Sequence, residues 1–370
     1  MPRPILTHHK PCPMSLAHHK PCSPQFTSNF LQHQPPPATH NLQPPHLSNM
    51  PSYQERTEVN DQVKQKQIQE SEFPESSLAK WFRSLCGKLD RIPITPVSSL
   101  DFEDLIRNCS IATPRSELDH RRLESEARLV TESCRFTAMD SKELVYFIKQ
   151  GLALPFGPKV ASQVCTKTVE AIDELALTYP PSEPHKKDRR WDYLKTTHNI
   201  LGVYRFANWF ETGTSGHELN AIVKFFRQNS ILVQILCLLF SIIDPTTYRS
   251  YWSTFQNDSL ASSTLFFHVS RRACFHRLVL LRNLQADAHK DCSEVPNGWV
   301  ALVCWGDFSG GNLVFPDLGV KLDFQPRDIV FFRSRLLEHF ITDFEGERSS
   351  MIFSARGDSN TQSPGTTDAL

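Results

Sequence analysis

The chain has 370 residues, with 40 basic and 40 acidic side chains and no net charge. That length allows one large domain or two smaller ones, and the charge balance gives no global field for nucleic acid or an anionic membrane. The 10 cysteines are scattered and form no C-x-x-C pair, which argues against a disulfide scaffold or a structural zinc module and for reduced thiols inside the cell.

Residues 1–75 read as a disordered tail rich in Pro, His and Gln. Low hydrophobicity and frequent proline cannot offset the entropy of ordering. The tail repeats His8-His9-Lys10-Pro11-Cys12 as His18-His19-Lys20-Pro21-Cys22. This is a short tandem duplication, or a place to catch a soft metal. No apolar run follows the N-terminus, so no secretory signal is expected, and an intracellular protein, nuclear or cytoplasmic, is the reading.

Residues 76–264 read as mostly helical and packed on the segment that comes next. Asp140-Ser141-Lys142-Glu143 has capping-box spacing ahead of Leu144, Phe147 and Ile148 and predicts a helix start. Pro158 opens a second helix, with Ala161, Cys165, Val169, Ile172 and Ala176 on one face, and Pro180-Pro181 closes it. Lys186-Lys187-Asp188-Arg189-Arg190-Trp191 is the most basic run. It reads as a solvated loop, or as a phosphate contact with an aromatic to stack a base. Leu219–Ile243 predicts a long helix whose second half is apolar on every face. The apolar part is too short for a membrane span, which needs roughly 20 residues, so a buried core helix is expected.

From residue 265 to 356 the period changes to two. Strand-like runs at 265–269, 275–284, 299–305, 320–324, 329–332 and 351–353 are separated by Pro296-Asn297-Gly298, Ser309-Gly310-Gly311, Pro316-Asp317 and Gln325-Pro326-Arg327-Asp328. Short strands with tight turns predict a sandwich or jelly roll. The fold class is therefore α+β: a jelly-roll core, a mostly helical N-terminal portion and the tail, with residues 357–370 as a flexible C-terminus.

Within the core, Ala288-His289-Lys290-Asp291 puts an imidazole and a carboxylate two residues apart. On a strand both would share one face. With His339 from a later strand they make a facial triad that leaves three positions of an octahedral Fe(II) ion open, enough for a bidentate oxo-acid and dioxygen. Arg348 and Ser350 face inward by the same period. A buried guanidinium needs an anion, and it binds a carboxylate through two parallel hydrogen bonds. The plainer alternatives are a surface His/Asp pair, a satisfied core histidine and an exposed ion pair of Arg348 with Asp343 or Glu345. Cys292 reads as a small apolar side chain or an oxidisable thiol beside the site, and Asn283 as a residue that could reach the co-substrate.

The set His289-x-Asp291, His339 and Arg348-x-Ser350, with Gly310-Gly311 and Pro326-x-Asp328 between, resembles the double-stranded β-helix core of the 2-oxoglutarate/Fe(II)-dependent dioxygenases. The resemblance implies iron ligation by His289, Asp291 and His339, and 2-oxoglutarate binding by Arg348 and Ser350, in an enzyme that uses dioxygen to hydroxylate a C–H bond. Asn297-Gly298-Trp299, Gly306-Asp307-Phe308-x-Gly310-Gly311 and Phe331-Phe332-Arg333-Ser334 are loosely similar to fungal members of the ten-eleven-translocation/J-binding-protein group. Those oxidise methylated pyrimidine bases, which makes DNA or RNA a candidate partner. A protein side chain or a small metabolite stays open as substrate, and so does a non-catalytic β-helix binding module. The family's Pro-Gly-Asp turn is here Pro326-Arg327-Asp328. Glycine there supplies positive φ, and a type I turn would accept arginine without it.

Overall fold

The computed structural model describes residues 77–109, 115–180, 202–206, 216–261, 273–292 and 294–355. The His-His-Lys-Pro-Cys repeat, the Lys186–Trp191 run, the expected strand at 265–269 and the tails at 1–75 and 357–370 lie outside them. Eight α-helices are described: α1 Ser77–Asp90, α2 Phe102–Arg107, α3 Glu117–Glu126, α4 Ala153–Phe156, α5 Pro158–Thr178, α6 Gly216–Gln228, α7 Ser230–Ile243 and α8 Pro245–Ala261. The strands are β1 Ile94–Val97, β2 Arg128–Val130, β3 Cys134–Ala138, β4 Glu143–Ile148, β5 Gly202–Phe206, β6 Arg277–Arg282, β7 Val300–Gly310, β8 Leu313–Phe315, β9 Val320–Leu322, β10 Ile329–Phe332, β11 Phe340–Ile341 and β12 Phe344–Ser354. All lie in one compact unit, and the class is α+β.

Two sheets make the double-stranded β-helix. The large one runs β1-β3-β4-β10-β7-β12-β6-β5 and the small one β11-β8-β9-β2. The central strands are buried on both faces. In β10, Val330 and Phe332 point into a cluster shared with Leu313, Phe315, Val320 and Leu322 of the small sheet. Ile329 and Phe331 point the other way, into a cluster shared with α1 and α5–α8. The strict period of two thus makes β10 a wall between the jelly-roll interior and a helical layer.

The helical stretch holds more strand than its period implied. β2, β4 and β5 pair with β9, β10 and β6, so strands from before residue 264 complete both sheets. The predicted helix start at Asp140 is overturned. Residues 143–148 form β4, which pairs with β3 and β10, and Ser141 takes φ 64 in the turn before it. Leu144-Val145-Tyr146-Phe147-Ile148 is buried on both faces, and a two-sided apolar run cannot be told from a helix by pattern alone. α5 begins at Pro158 as expected. Its inner face is richer than the predicted stripe, with Val164, Thr168, Ala171 and Leu175 buried beside Ala161, Ile172 and Ala176.

The single helix expected over Leu219–Ile243 is two, α6 and α7, bent by 52°. Asn229 sits at the break, donating from Nδ2 to the Phe225 carbonyl at 2.9 Å and accepting from Thr168 Oγ1 at 2.8 Å. α7 is buried at Leu232, Val233, Ile235, Leu236, Cys237, Leu239 and Phe240, as a core helix should be. Among the described residues no single helix is long and apolar enough to cross a membrane.

The turn at Gln325-Pro326-Arg327-Asp328 does not escape into type I. Arg327 takes φ 80, and the Asp328 N–H donates to the Gln325 carbonyl at 3.1 Å, as a type II turn requires. A left-handed conformation costs a side chain about 1–2 kcal/mol, against about 0.4–1 kcal/mol of unfolded-chain entropy saved relative to glycine. Arg327→Gly is therefore expected to stabilise the fold by about 0–1.6 kcal/mol in chemical denaturation. A lower midpoint would show that the Arg327 contact with Cys165 outweighs the strain.

Candidate metal and oxo-acid site

His289 and Asp291 are not on a regular strand, so the period-two route to a shared face fails. β6 ends at Arg282, and Asn283 at φ 51 turns the chain out of the sheet. Local contacts shape the segment beyond that turn. The Asp287 carboxylate accepts from the Ala288 N–H at 2.9 Å, and the Asp291 N–H donates to the Ser334 carbonyl at 3.1 Å. The Glu294 N–H closes a turn onto the Asp291 carbonyl at 3.1 Å. His289 meets His339 as an isolated antiparallel bridge, with reciprocal backbone hydrogen bonds of 3.2 and 3.0 Å.

That bridge, rather than a strand, gathers the three side chains. One ligand atom from each of His289, Asp291 and His339 lies within 4.8 Å of the others. Nε2 of His289 is 3.5 Å from Asp291 Oδ1, and Nε2 of His339 is 3.8 Å from Asp291 Oδ2. Each Nδ1 faces a backbone carbonyl, that of Asp287 at 2.6 Å for His289 and that of Leu337 at 3.0 Å for His339. A carbonyl only accepts, so Nδ1 carries the proton and the Nε2 lone pairs face Asp291. Outer contacts of this kind fix tautomer and ring direction in metal sites. Burial, and then the neighbouring His289, push His339 down to about 4. Its imidazole is therefore neutral near pH 7, as a ligand must be. His339 is only 7% exposed and packs edge-on against Phe332. The side chain of His289 is 42% exposed, so the cluster has a buried wall and an open side. Two imidazole nitrogens and one carboxylate fit a hard or borderline divalent ion and would leave part of its shell open.

Arg348 is 2% exposed and makes no ion pair with Asp343, Glu345 or another described residue. Its Nη1 donates to Ser350 Oγ at 2.6 Å, while Nε and Nη2 are buried with no hydrogen-bond partner among the described residues. Phe308 and Phe344 lie 5.2 and 5.7 Å from the guanidinium carbon, and burial pulls its pKa below the ordinary value. A buried guanidinium with two idle donors is costly unless an anion meets it. Arg348 and Ser350 share the inner face, since Ser349 and Met351 alternate with them and Met351 packs in the helix-side cluster. Both groups border the same interior: Phe308 and Phe344 pack on the cluster that contains the His339 neighbours Phe315 and Phe332. The donor set therefore suits a dicarboxylate with one carboxylate held by Arg348.

Two supports were legible only as motif letters. At Gly311, with φ 68, a Cβ would fall 2.9 Å from Arg348 Nε and 3.2 Å from Cδ. Glycine leaves the space that the arginine fills. Gly311→Ala is expected to weaken 2-oxoglutarate binding by more than tenfold and to lower the thermal midpoint; an unchanged KM would show that Arg348 is free to shift. Asn283 does not need to reach a ligand to matter. Its Oδ1 accepts from the Arg348 N–H at 2.8 Å and its Nδ2 donates to Glu347 at 2.6 Å, which fixes the strand that carries the arginine. The Phe331-Phe332-Arg333-Ser334 motif is framework. Arg333 stacks on Trp299 and Phe102 at 4.4 and 4.8 Å and donates to the Glu143 and Asn297 carbonyls. Ser334 then presents the carbonyl that holds Asp291. Cys292 is partly exposed, and burial raises its thiol pKa.

Residues 211–357 match the family model described as the oxygenase domain of the 2OGFeDO superfamily, Tet_JBP. Among solved structures, the chain is similar to NgTET1 in complex with 5mC DNA, at 13% identity over 78% of this chain and 94% of that one, with a TM-score of 0.47. It is also similar to full-length Neurospora crassa T7H in complex with alpha-KG, at 13% identity over 61% of this chain and 80% of that one, with a TM-score of 0.31. A third likeness is to the viral collagen prolyl hydroxylase of Paramecium Bursaria Chlorella virus-1 in its 2OG complex, at 13% identity over 58% and 96%, with a TM-score of 0.27. Comparison with the curated proteins gave no match.

Proposed function

Taking residues 211–357 as an oxygenase domain of the 2OGFeDO superfamily, whose cofactor set is Fe(II), 2-oxoglutarate and dioxygen, we propose that His289, Asp291 and His339 hold the iron. Arg348 and Ser350 anchor the far carboxylate of 2-oxoglutarate. The observation that carries this reading is the pair of idle, buried donors on Arg348 on a strand that borders the same interior as the three-residue cluster. Bound there, the iron would supply the chemistry that couples decarboxylation of 2-oxoglutarate to succinate with insertion of one dioxygen atom into a C–H bond.

The chain's own residues then have separable tasks. The two histidines keep their Nδ1 protons on backbone carbonyls and turn their Nε2 atoms toward Asp291. Asp291 supplies the negative charge. Arg348 orients the oxo-acid, and Ser350 fixes the guanidinium at 2.6 Å. Phe308 and Phe344 flank the guanidinium and Phe332 packs on His339, and this apolar lining strengthens each charged contact.

For the substrate we favour a methylated nucleobase in DNA or RNA. The support is the Tet_JBP character of the matched segment together with the Asn297-Gly298-Trp299 and Phe331–Ser334 wording. The test is succinate release with Fe(II) and 2-oxoglutarate against methylated DNA, unmethylated DNA of the same sequence, methylated RNA and a peptide pool. Stimulation confined to the methylated nucleic acid is the expected result. Equal rates on methylated and unmethylated strands, or stimulation by peptides alone, would exclude the nucleobase.

A further inference from the structure

The segment Arg115–Glu126 lies far in sequence from both ligand histidines, yet it grips the residues on either side of them. Arg115 pairs with Glu338 through two parallel hydrogen bonds, Nε to Oε1 at 2.7 Å and Nη2 to Oε2 at 2.6 Å. Glu338 is the residue before His339. Five residues on from Arg115, His120 is 1% exposed. Its Nδ1 faces the Ser116 carbonyl at 2.8 Å. Its Nε2 lies 2.5 Å from Asp287 Oδ1 and 3.2 Å from the Ala288 N–H. Asp287 and Ala288 lead directly into His289, and the Asp287 carbonyl is the group that orients the His289 ring. The His120 ring also meets Phe340, the residue after His339, edge-on at 5.0 Å. Asp317 adds a tie across the same pair of segments, accepting from the Glu338 N–H at 2.8 Å and standing 3.9 Å from Lys290 Nζ.

The clamp is built to be stiff. A full capping box between Ser116 and Asp119 fixes the first turn of α3, which stands between Arg115 and His120. Two parallel charge-assisted bonds on Arg115 leave little rotational freedom. The two ligand histidines, by contrast, meet at an isolated bridge and a ring contact of 4.3 Å, outside the long strands. A single bridge pair sets a backbone separation but has no further ladder pairs to hold its twist and ring directions. A third element, touching both sides at once, holds them.

We propose that Arg115 and His120 are positioning residues for the metal site: the first turns of α3 brace the bridge and hold the ring directions of His289 and His339 through Glu338, Asp287 and Ala288. The proposal rests on the assignment of those histidines as iron ligands. Neither Arg115 nor His120 belongs to the motif that carries the family resemblance, and neither touches the ion's place directly. Contacts of this outer kind are worth roughly 10–100-fold in metal affinity.

The test uses the full chain and three variants: Arg115→Gln, Arg115→Lys and His120→Gln. The side chain of Arg115 is 31% exposed, so its replacement leaves the apolar core untouched. Fe(II) affinity is read by chelator competition with saturating 2-oxoglutarate. Ligand geometry is read from the d–d spectrum of the Co(II)-loaded protein, and the fold from thermal unfolding of the metal-free protein. We expect Arg115→Gln and His120→Gln to weaken Fe(II) binding by about 10–100-fold and to alter the Co(II) band envelope. KM for 2-oxoglutarate at saturating iron should stay within about twofold, and Arg115→Lys should recover part of the loss. Should His120→Gln fail to fold, the Arg115 pair decides. If the wild type binds iron and Arg115→Gln binds it equally with an unchanged Co(II) spectrum, the clamp is overturned and the ligand assignment stands. If the wild type binds no iron, the ligand assignment falls and the clamp with it.

Discussion

Replacing His289, Asp291 or His339 by alanine is expected to remove Fe(II) binding at micromolar metal and to cut 2-oxoglutarate turnover by more than about 100-fold, the upper end of what an outer contact costs. Each supplies one of three donors gathered within 4.8 Å, and no other group of three candidate ligands this close exists among the described residues. The fold should survive these changes unequally. His289 is half exposed and its truncation leaves the core intact. His339 packs on Phe332 and Phe315, so His339→Ala also opens a cavity and should cost a few kcal/mol of stability, as large-to-small core changes do. Comparing His289→Ala with His339→Ala therefore separates metal binding from packing. Equal turnover in wild type and His289→Ala would remove the site assignment.

The second large effect is at Arg348, where co-substrate affinity should fall while the stability of the ligand-free protein does not. Two charge-assisted hydrogen bonds at roughly 1.5–3 kcal/mol each imply a rise in KM for 2-oxoglutarate of about 10²–10⁴-fold in Arg348→Met. The same substitution removes a buried guanidinium whose Nε and Nη2 have no partner among the described residues. Replacing buried charge with an apolar side chain of similar volume is often neutral or stabilising by about 1–4 kcal/mol. The ligand-free protein should thus melt at an equal or higher temperature than wild type while losing its co-substrate. A structural arginine would behave in the reverse way, with stability falling and KM unmoved. Adding 2-oxoglutarate with a redox-silent divalent ion should raise the thermal midpoint of the wild type and leave that of Arg348→Met unchanged.

Much of this site was readable from residue types alone, though not always for the stated reason. Arg348 and Ser350 follow the period-two argument directly, because both lie within the regular strand β12, where successive side chains take opposite faces even though both faces are buried there. His289 and Asp291 converge despite lying outside any strand. The turn at Asn283 and the bridge to His339 achieve what the expected strand would have done. Period arguments see one segment at a time, so a contact made by a bridge to residue 339 leaves no trace near residue 289.

The same limit explains β4. Residues 144–148 are apolar at every position because β4 is central in the large sheet, with β3 and β10 on its edges and packed layers on both faces. Alternation is erased there, and the nearby capping-box letters then favour the wrong element. Arg115 and His120 show a third kind of blindness. Their partners lie 223 and 168 residues away, and neither residue type is unusual for a helix start. By contrast, Pro158 opening α5 and the all-round apolar Ile231–Ile243 run are local signals, and the structure bears them out.

If His289, Asp291, His339 and Arg348 line one pocket, a single metal ion and a single 2-oxoglutarate must share it. Anaerobic titration of the wild-type protein with Fe(II) and 2-oxoglutarate, followed by visible absorption, decides the matter. A chelating oxo-acid on Fe(II) gives a weak charge-transfer band. That band is expected to saturate at one iron per chain, to need both components, and to be lost in His289→Ala and in Arg348→Met at the same 2-oxoglutarate concentration. No band in the wild type, or a band that persists unchanged in both variants, would refute the shared pocket.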